Sequence, residues 1–250
     1  MPMFTRRLPV PSIPLRIQPA GFALIALLST CTAVAEDGLL ERSRALYAGL
    51  QTYADSGSVL REYGQSSSDL HRFTTHFRRT PRGFVFDFTK QSRERYVVWG
   101  DPDAFHTWLS STGQRFDYPN PRNATAISGS GVNTSDAVLK IPPLLYSKAA
   151  LGGFFDSLGA VVTEGSEKVD GHPCVRLAST ASTAYEATGK LANQRKVTVW
   201  IDSESLLIRQ IREEWPPLPG QRSRVTTTIE PEANPKLDDN PLKFVVPGSK

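Results

Sequence analysis

Residues 84–88 read Phe-Val-Phe-Asp-Phe, and no other stretch constrains the fold as tightly. Successive side chains of an extended strand point to opposite faces, so Phe84, Phe86 and Phe88 share one face and Val85 and Asp87 the other. Three rings on one face need a covering layer, and a period of two does not suit a helix. The strand also has neighbours. "SVLREYGQ" and "LHRFTTHFRR" precede it, and "RYVVWGD", "FHTWLSS" and "QRFDYPN" follow. Turn signals at Thr80-Pro81-Arg82-Gly83, Asp101-Pro102-Asp103 and Thr112-Gly113 separate them. This is the pattern of an antiparallel meander.

Helical spacing brackets the meander. "EDGLLERSRALYAGLQTYA" places Leu39, Leu40, Ser43, Leu46, Tyr47, Leu50 and Tyr53 on one stripe, with Asp37 or Gly38 as cap. After the turn-rich loop "PNPRNATAISGSGVNTSD", "DAVLKIPPLLYSKAALGGFFDSLG" predicts two short helices interrupted at Pro142-Pro143. Strands then resume. A pair meets across Asp170-Gly171 and another across Asp202-Ser203-Glu204-Ser205, then come "SRVTTTIEP" and a closing "NPKLDDNPLKFVVP". The expected class is α+β, a large antiparallel sheet with helices on one face, and a sheet this wide should curl.

The first 35 residues stand apart. An acid-free segment with Arg6, Arg7 and Arg16 leads into "AGFALIALL" and ends at Ala33-Val34-Ala35. That apolar run is too short to cross a bilayer core of about 30 Å. The whole reads as a signal peptide cleaved after Ala35, which places the protein in the periplasm, with 36–250 as a single domain. Leu28-Ser29-Thr30-Cys31 offers an alternative, a lipoprotein anchored through Cys31, although threonine is unusual before such a cysteine. Without the leader, 26 basic residues face 25 acidic ones, about +1, with no basic stripe to suggest nucleic acid. Cys174 then has no partner in the chain and reads as a small buried hydrophobe.

Motifs that carry chemistry are scarce. Ser130 lies in "SGSGV", where Ser128 stands in place of the first glycine of a nucleophile elbow, and no phosphate-cradling glycine loop follows a strand. His71, His76, His106 and His172 form no metal spacing. Asp101, Asp103 and His106 are the best cluster, and an Asp-Pro-Asp turn accounts for it. Glu213-Glu214 and Asp238-Asp239 are adjacent, hence divergent on a strand and solvated. The sequence predicts no catalytic residues, no metal and no cofactor. The strongest signal is apolar: Phe84, Phe86, Phe88, Trp99 and Trp108 on the sheet, and Leu144, Leu145, Phe154 and Phe155 on the broken helix. These side chains make either an ordinary core or the lining of a pocket under a helical lid.

The order of segments resembles the periplasmic lipoprotein-carrier (LolA-like) superfamily, including its predicted periplasmic branches. It runs from "LLERSRALYAGLQTY" and "SVLREY" through "FRRTPRGFVFDF" and "RYVVWGDPDAFHTW". A proline-bearing helical insert, "VTVWIDSESLLIRQI" and "LKFVVP" complete it, so the similarity covers residues 38–247. The resemblance implies an unclosed β-barrel with a helical lid on its concave face, enclosing a cavity for acyl chains. It implies a non-enzymatic carrier, monomeric, whose partner is a lipid or the acyl chain of a lipoprotein, and no nucleic acid. An alternative role is a sensor or scaffold that binds a membrane-anchored protein. In these carriers the arginine of an Arg-Pro element ties the lid shut. Here Thr80 intervenes before Pro81, so Arg79 is the matching residue and Arg78 the alternative; the carriers' aromatic residue on the next strand is matched by Phe86 or Phe88.

Overall fold

A computed structural model describes residues 38–64, 67–119, 125–146, 153–181, 194–216 and 222–248. The leader expectation and Cys31 lie outside these residues. The described residues form one antiparallel sheet of eleven strands. The first six are β1 (Thr52–Tyr63), β2 (Ser67–Arg78), β3 (Gly83–Thr89), β4 (Arg95–Gly100), β5 (Phe105–Leu109) and β6 (Arg115–Tyr118). The rest are β7 (Val162–Val169), β8 (His172–Ala181), β9 (Arg195–Asp202), β10 (Ile208–Glu214) and β11 (Arg222–Ala233). Their order is β6-β5-β4-β3-β2-β1-β11-β10-β9-β8-β7. The first strand therefore pairs with the last at mid-sheet, and two meanders run outward from that pair. Edge strands β6 and β7 are not neighbours in the sheet, which leaves it unclosed.

This topology explains where the helices go. The chain from β6 to β7 must travel from one edge to the other, and its described parts lie on one face. That connection holds α2 (Thr125–Gly129), α3 (Pro142–Leu145) and a 3₁₀ turn, Phe154–Ser157. With α1 (Leu39–Gly49) it packs on the aromatic face. A single core joins Phe73, Phe84, Phe86 and Phe88 of one meander to Leu177, Val197, Val199 and Ile201 of the other, so the sheet curls around these helices. Space within is tight. A Cβ on Gly57, mid-strand in β1, would lie 2.3 Å from Phe73 Cζ, so glycine is what lets that ring lie flat across the strand.

Local readings need four corrections. Tyr53 belongs to β1, opposite Phe77 and Ala233, and not to the helical stripe. Pairing along the whole of β1 overrides the local helical spacing. Pro142 and Pro143 open α3 and do not interrupt a helix, because a first-turn N–H has no helical partner to lose. The closing segment is not a strand. After a 3₁₀ turn, Asn240–Leu242, residues 243–246 run outside any ladder.

The fourth correction concerns faces. Phe84 pairs with Gly100 and Val85 with Trp99, so Trp99 points away from the phenylalanines; Trp108, opposite Val97, does the same. Both tryptophans lie with Val85 and Val97 under Phe244 and Val246. The Phe244 ring is 4.9 Å from Trp99 and 5.4 Å from Trp108. They belong to a separate core on the convex side, so they do not line the concave face. Phe244→Ala should cost about 2 kcal/mol, below the range for a fully buried phenylalanine because this ring is half-exposed. Urea unfolding followed by tryptophan fluorescence checks this, and an unchanged midpoint would show that the terminal segment does not hold the convex core.

Candidate functional site

The concave face and its helical cover form the candidate site. Phe84, Phe86 and Phe88 are fully buried, and Leu144, Leu145, Phe154 and Phe155 lie in the same core. The structure thus brings together seven of the nine residues expected to line a cavity and parts them from Trp99 and Trp108. Tyr146, just after α3, sits edge-on to three rings of the sheet: 5.5 Å from Phe77, 5.8 Å from Phe84 and 5.7 Å from Phe105. Such edge-to-face pairs favour a defined seat over a greasy contact. Burial pushes the Tyr146 hydroxyl well above the usual phenol range, so it stays neutral.

Arg79 holds the cover from one side. Its Nε donates to the Leu50 carbonyl at 2.9 Å, and its Nη2 donates to Ala48 at 2.8 Å and to Leu145 at 3.1 Å. These acceptors lie at the C-terminal ends of α1 and α3, where the last carbonyls have no helical partner and carry the negative end of the helix dipole. The guanidinium also lies over the Phe77 ring, 5.3 Å from its centre. Arg78 points elsewhere. Its Nε donates to Pro81 O at 3.1 Å and its Nη1 to Asp239 at 2.7 Å, which ties the hairpin to the terminal segment. A cleft of ≈ 80 Å³ runs along the seam between α1 and the later helical turns, lined by Arg44, Ala48, Leu144, Tyr146, Phe155 and Asp156. An Arg44–Asp156 ion pair closes one end of that seam.

Two carboxylates, Glu213 and Asp55, are buried in the fold. Glu213 is 4% exposed, so its reading as a solvated residue is wrong; only the divergence from half-buried Glu214 holds. Its carboxylate accepts from Lys140 Nζ and from Arg195 Nε. Burial would raise the Glu213 carboxyl, but Lys140 and Arg195 outweigh it and hold the group ionised below its ordinary range. Asp55, at mid-sheet on β1, accepts from the Tyr53 hydroxyl at 2.8 Å, and burial pushes its carboxyl up to about 7. Tyr47 of α1 stacks edge-on at 5.5 Å from Tyr53 and accepts from Ile208 N at 3.1 Å. Both carboxylates stand in phase with apolar neighbours, Glu213 with Ile211 and Asp55 with Tyr53. That alternation was the signal available.

Elsewhere the candidate groups serve the fold. Asp101 accepts from the backbone N–H of Asp103 and of Ala104, and His106 bonds Asp117 at 2.6 Å and Asp101 at 3.3 Å. Among the described residues, no group of three or more His, Cys, Asp or Glu is placed to hold a metal ion. Ser130 is buried, donates to Ala126 O and lies 3.1 Å from the Tyr96 hydroxyl. Cys174 is buried beside Val169 and Trp200. Among the described residues, no helix is long and apolar enough to cross a membrane.

No family model matches the chain, and no curated protein matches it. Several solved structures are similar. The lipoprotein LppX of Mycobacterium tuberculosis is 13% identical, with 80% of this chain and 97% of that chain covered and a TM-score of 0.45. The MucA/MucB complex of Pseudomonas aeruginosa is 14% identical over 83% of this chain and 60% of that one, with a TM-score of 0.44. A LolA superfamily protein of Nitrosomonas europaea is 12% identical over 85% and 99%, with a TM-score of 0.34. The architecture that the sequence resemblance implies, an unclosed antiparallel sheet with helices against its concave face, is the one found here.

Proposed function

We propose that residues 36–250 act as one exported, periplasmic, non-enzymatic domain that holds a lipid or the acyl chain of a lipoprotein between the curled sheet and its helical cover. The observation that carries this reading is the Arg79 clamp. One guanidinium at the hairpin tip reaches the ends of two helices that cover an aromatic floor. Release of these hydrogen bonds would free the rim of the cover, and an entering chain would replace the contacts that the cover's side chains make with the floor. The apolar floor would then supply affinity at roughly 25 cal/mol per Å² of chain buried. The groups displaced on opening, Tyr146, Phe154 and Phe155, are carried by the connection and not by the sheet, so the sheet keeps its ladders while the cover moves.

Two experiments test the proposal. Protein purified from the periplasm is analysed by native mass spectrometry, then delipidated and titrated with a fluorescent fatty acid. Neither a co-purifying lipid nor any uptake would overturn the reading. The second alters the clamp. Arg79→Leu should leave the circular-dichroism spectrum unchanged while speeding uptake and release of the probe about tenfold, since loss of about 1.4 kcal/mol from the closed state shifts the opening equilibrium by that factor. Unaltered exchange rates would show that Arg79 does not latch the cover.

A further inference from the structure

The concave core is not apolar throughout. Where β9 begins, Arg195 enters it in phase with Val197, Val199 and Ile201, all four buried on the same face. Arg195 Nε donates to Glu213 at 2.5 Å, and Lys140 of the helical connection donates to the other oxygen of that carboxylate. The Phe154 ring caps the group, with Lys140 Nζ 3.5 Å and Arg195 Cζ 5.8 Å from its centre; the Trp215 ring flanks Arg195, also at 5.8 Å. Two cations therefore share one carboxylate inside the core. Asp136 adds negative potential at Lys140. Arg195 is 9% exposed, and its Nη1 is buried with no hydrogen-bond partner among the described residues. A buried charged donor left without an acceptor is expensive, and a lysine alone would tie the connection to Glu213. The arginine therefore serves something beyond that tie.

We propose that Arg195 Nη1, backed by Lys140, receives the anionic head of the ligand, a carboxylate or a phosphate, while the acyl chain lies along Val197, Val199 and Ile201. This rests on the acyl-binding reading above and gives that ligand a charge and a direction. Arg195 and Ile201 stand six positions apart, about 20 Å at strand spacing, which suits a long acyl chain. Phe154 is the stopper: it must leave the cation pair before the head group arrives, and the Arg44–Asp156 pair and local bonds at the seam hold its 3₁₀ turn in place. A guanidinium fork matches both carboxylate and phosphate oxygens, so the head-group charge selects and the chain supplies affinity.

Three probes with one oleoyl chain decide the matter: oleate, oleoyl lysophosphatidate and neutral monooleoylglycerol, each displacing a fluorescent fatty acid from delipidated protein at pH 8. Wild type should retain at least one anionic probe about tenfold more tightly than the neutral one. Arg195→Gln should erase that preference while keeping the neutral lipid, and Arg195→Lys should restore part of it. Preference for oleate alone would assign a free fatty acid, and preference for lysophosphatidate alone a phospholipid head. Equal retention of all three by wild type overturns the inference and leaves the acyl-binding reading intact; retention of none overturns both. The wild-type comparison stands even where Arg195→Gln does not fold.

Discussion

Replacing Glu213 by glutamine should lower the unfolding free energy by roughly 3–5 kcal/mol, among the largest losses a single substitution in this chain can produce. The side chain keeps its size and some of its bonding capacity, so neither a cavity nor a clash accounts for the cost. What disappears is the negative charge between Lys140 and Arg195, both in the core. Two cations then face each other, with Asp136 adding negative potential at Lys140. Burial already pulls the Lys140 ammonium down against the pull of Glu213, and without that carboxylate it falls further. Urea unfolding at pH 7, followed by tryptophan fluorescence, measures the loss. Glu214→Gln is the control, because its carboxylate points outward and reaches Arg224 only at 3.4 Å; it should change stability by less than about 0.5 kcal/mol. Lys140→Met in the Glu213→Gln background should recover part of the loss by removing one uncompensated charge. A Glu213→Gln loss no larger than that of Glu214→Gln would show that water reaches the triad.

How far the sequence discloses this arrangement depends on the range of the forces that fix it. The alternation of Phe84, Phe86 and Phe88 is local, and those rings share a face in the fold. The faces of Trp99 and Trp108 are not local. They depend on which residue of β4 stands opposite Phe84, and a one-residue change in that register turns every side chain over. Glu213 shows a different failure. The divergence of Glu213 and Glu214 follows from strand geometry, but the inward member could be chosen only by giving the phase with Ile211 more weight than the charge. The basic-proline turn at 78–83 is visible in the chain. The carbonyls that Arg79 holds are 29, 31 and 66 positions away, beyond any local pattern. The resemblance supplied that expectation, and the geometry of the clamp is described by the fold alone.

Asp55→Asn should act in the opposite direction and stabilise the protein at alkaline pH. Burial raises the Asp55 carboxyl from 3.8 to about 7, against the pull of the hydrogen bond from Tyr53. The folded state therefore holds a proton that the unfolded chain releases near pH 4. Between those values the folded state binds more protons, so this group's contribution to stability is complete below pH 4 and declines as pH rises to about 7. Three pH units at about 1.4 kcal/mol each set an upper bound of about 4 kcal/mol, and structural relaxation around the ionised group makes 1–3 kcal/mol at pH 8 the expected gain. Asparagine fills the same space and still accepts from the Tyr53 hydroxyl, so the two proteins should be nearly equal at pH 4. Total stability against pH does not isolate this effect. Asp202, Asp239 and Glu94 are held below their ordinary range, and each adds stability as pH rises. The difference between wild type and Asp55→Asn cancels those shared contributions. Guanidinium unfolding at pH 4, 6 and 8 should give a difference that grows with pH. A constant difference would place the Asp55 carboxylate in contact with water, and a floor that wet would not present an acyl chain with the dry aromatic surface its affinity requires.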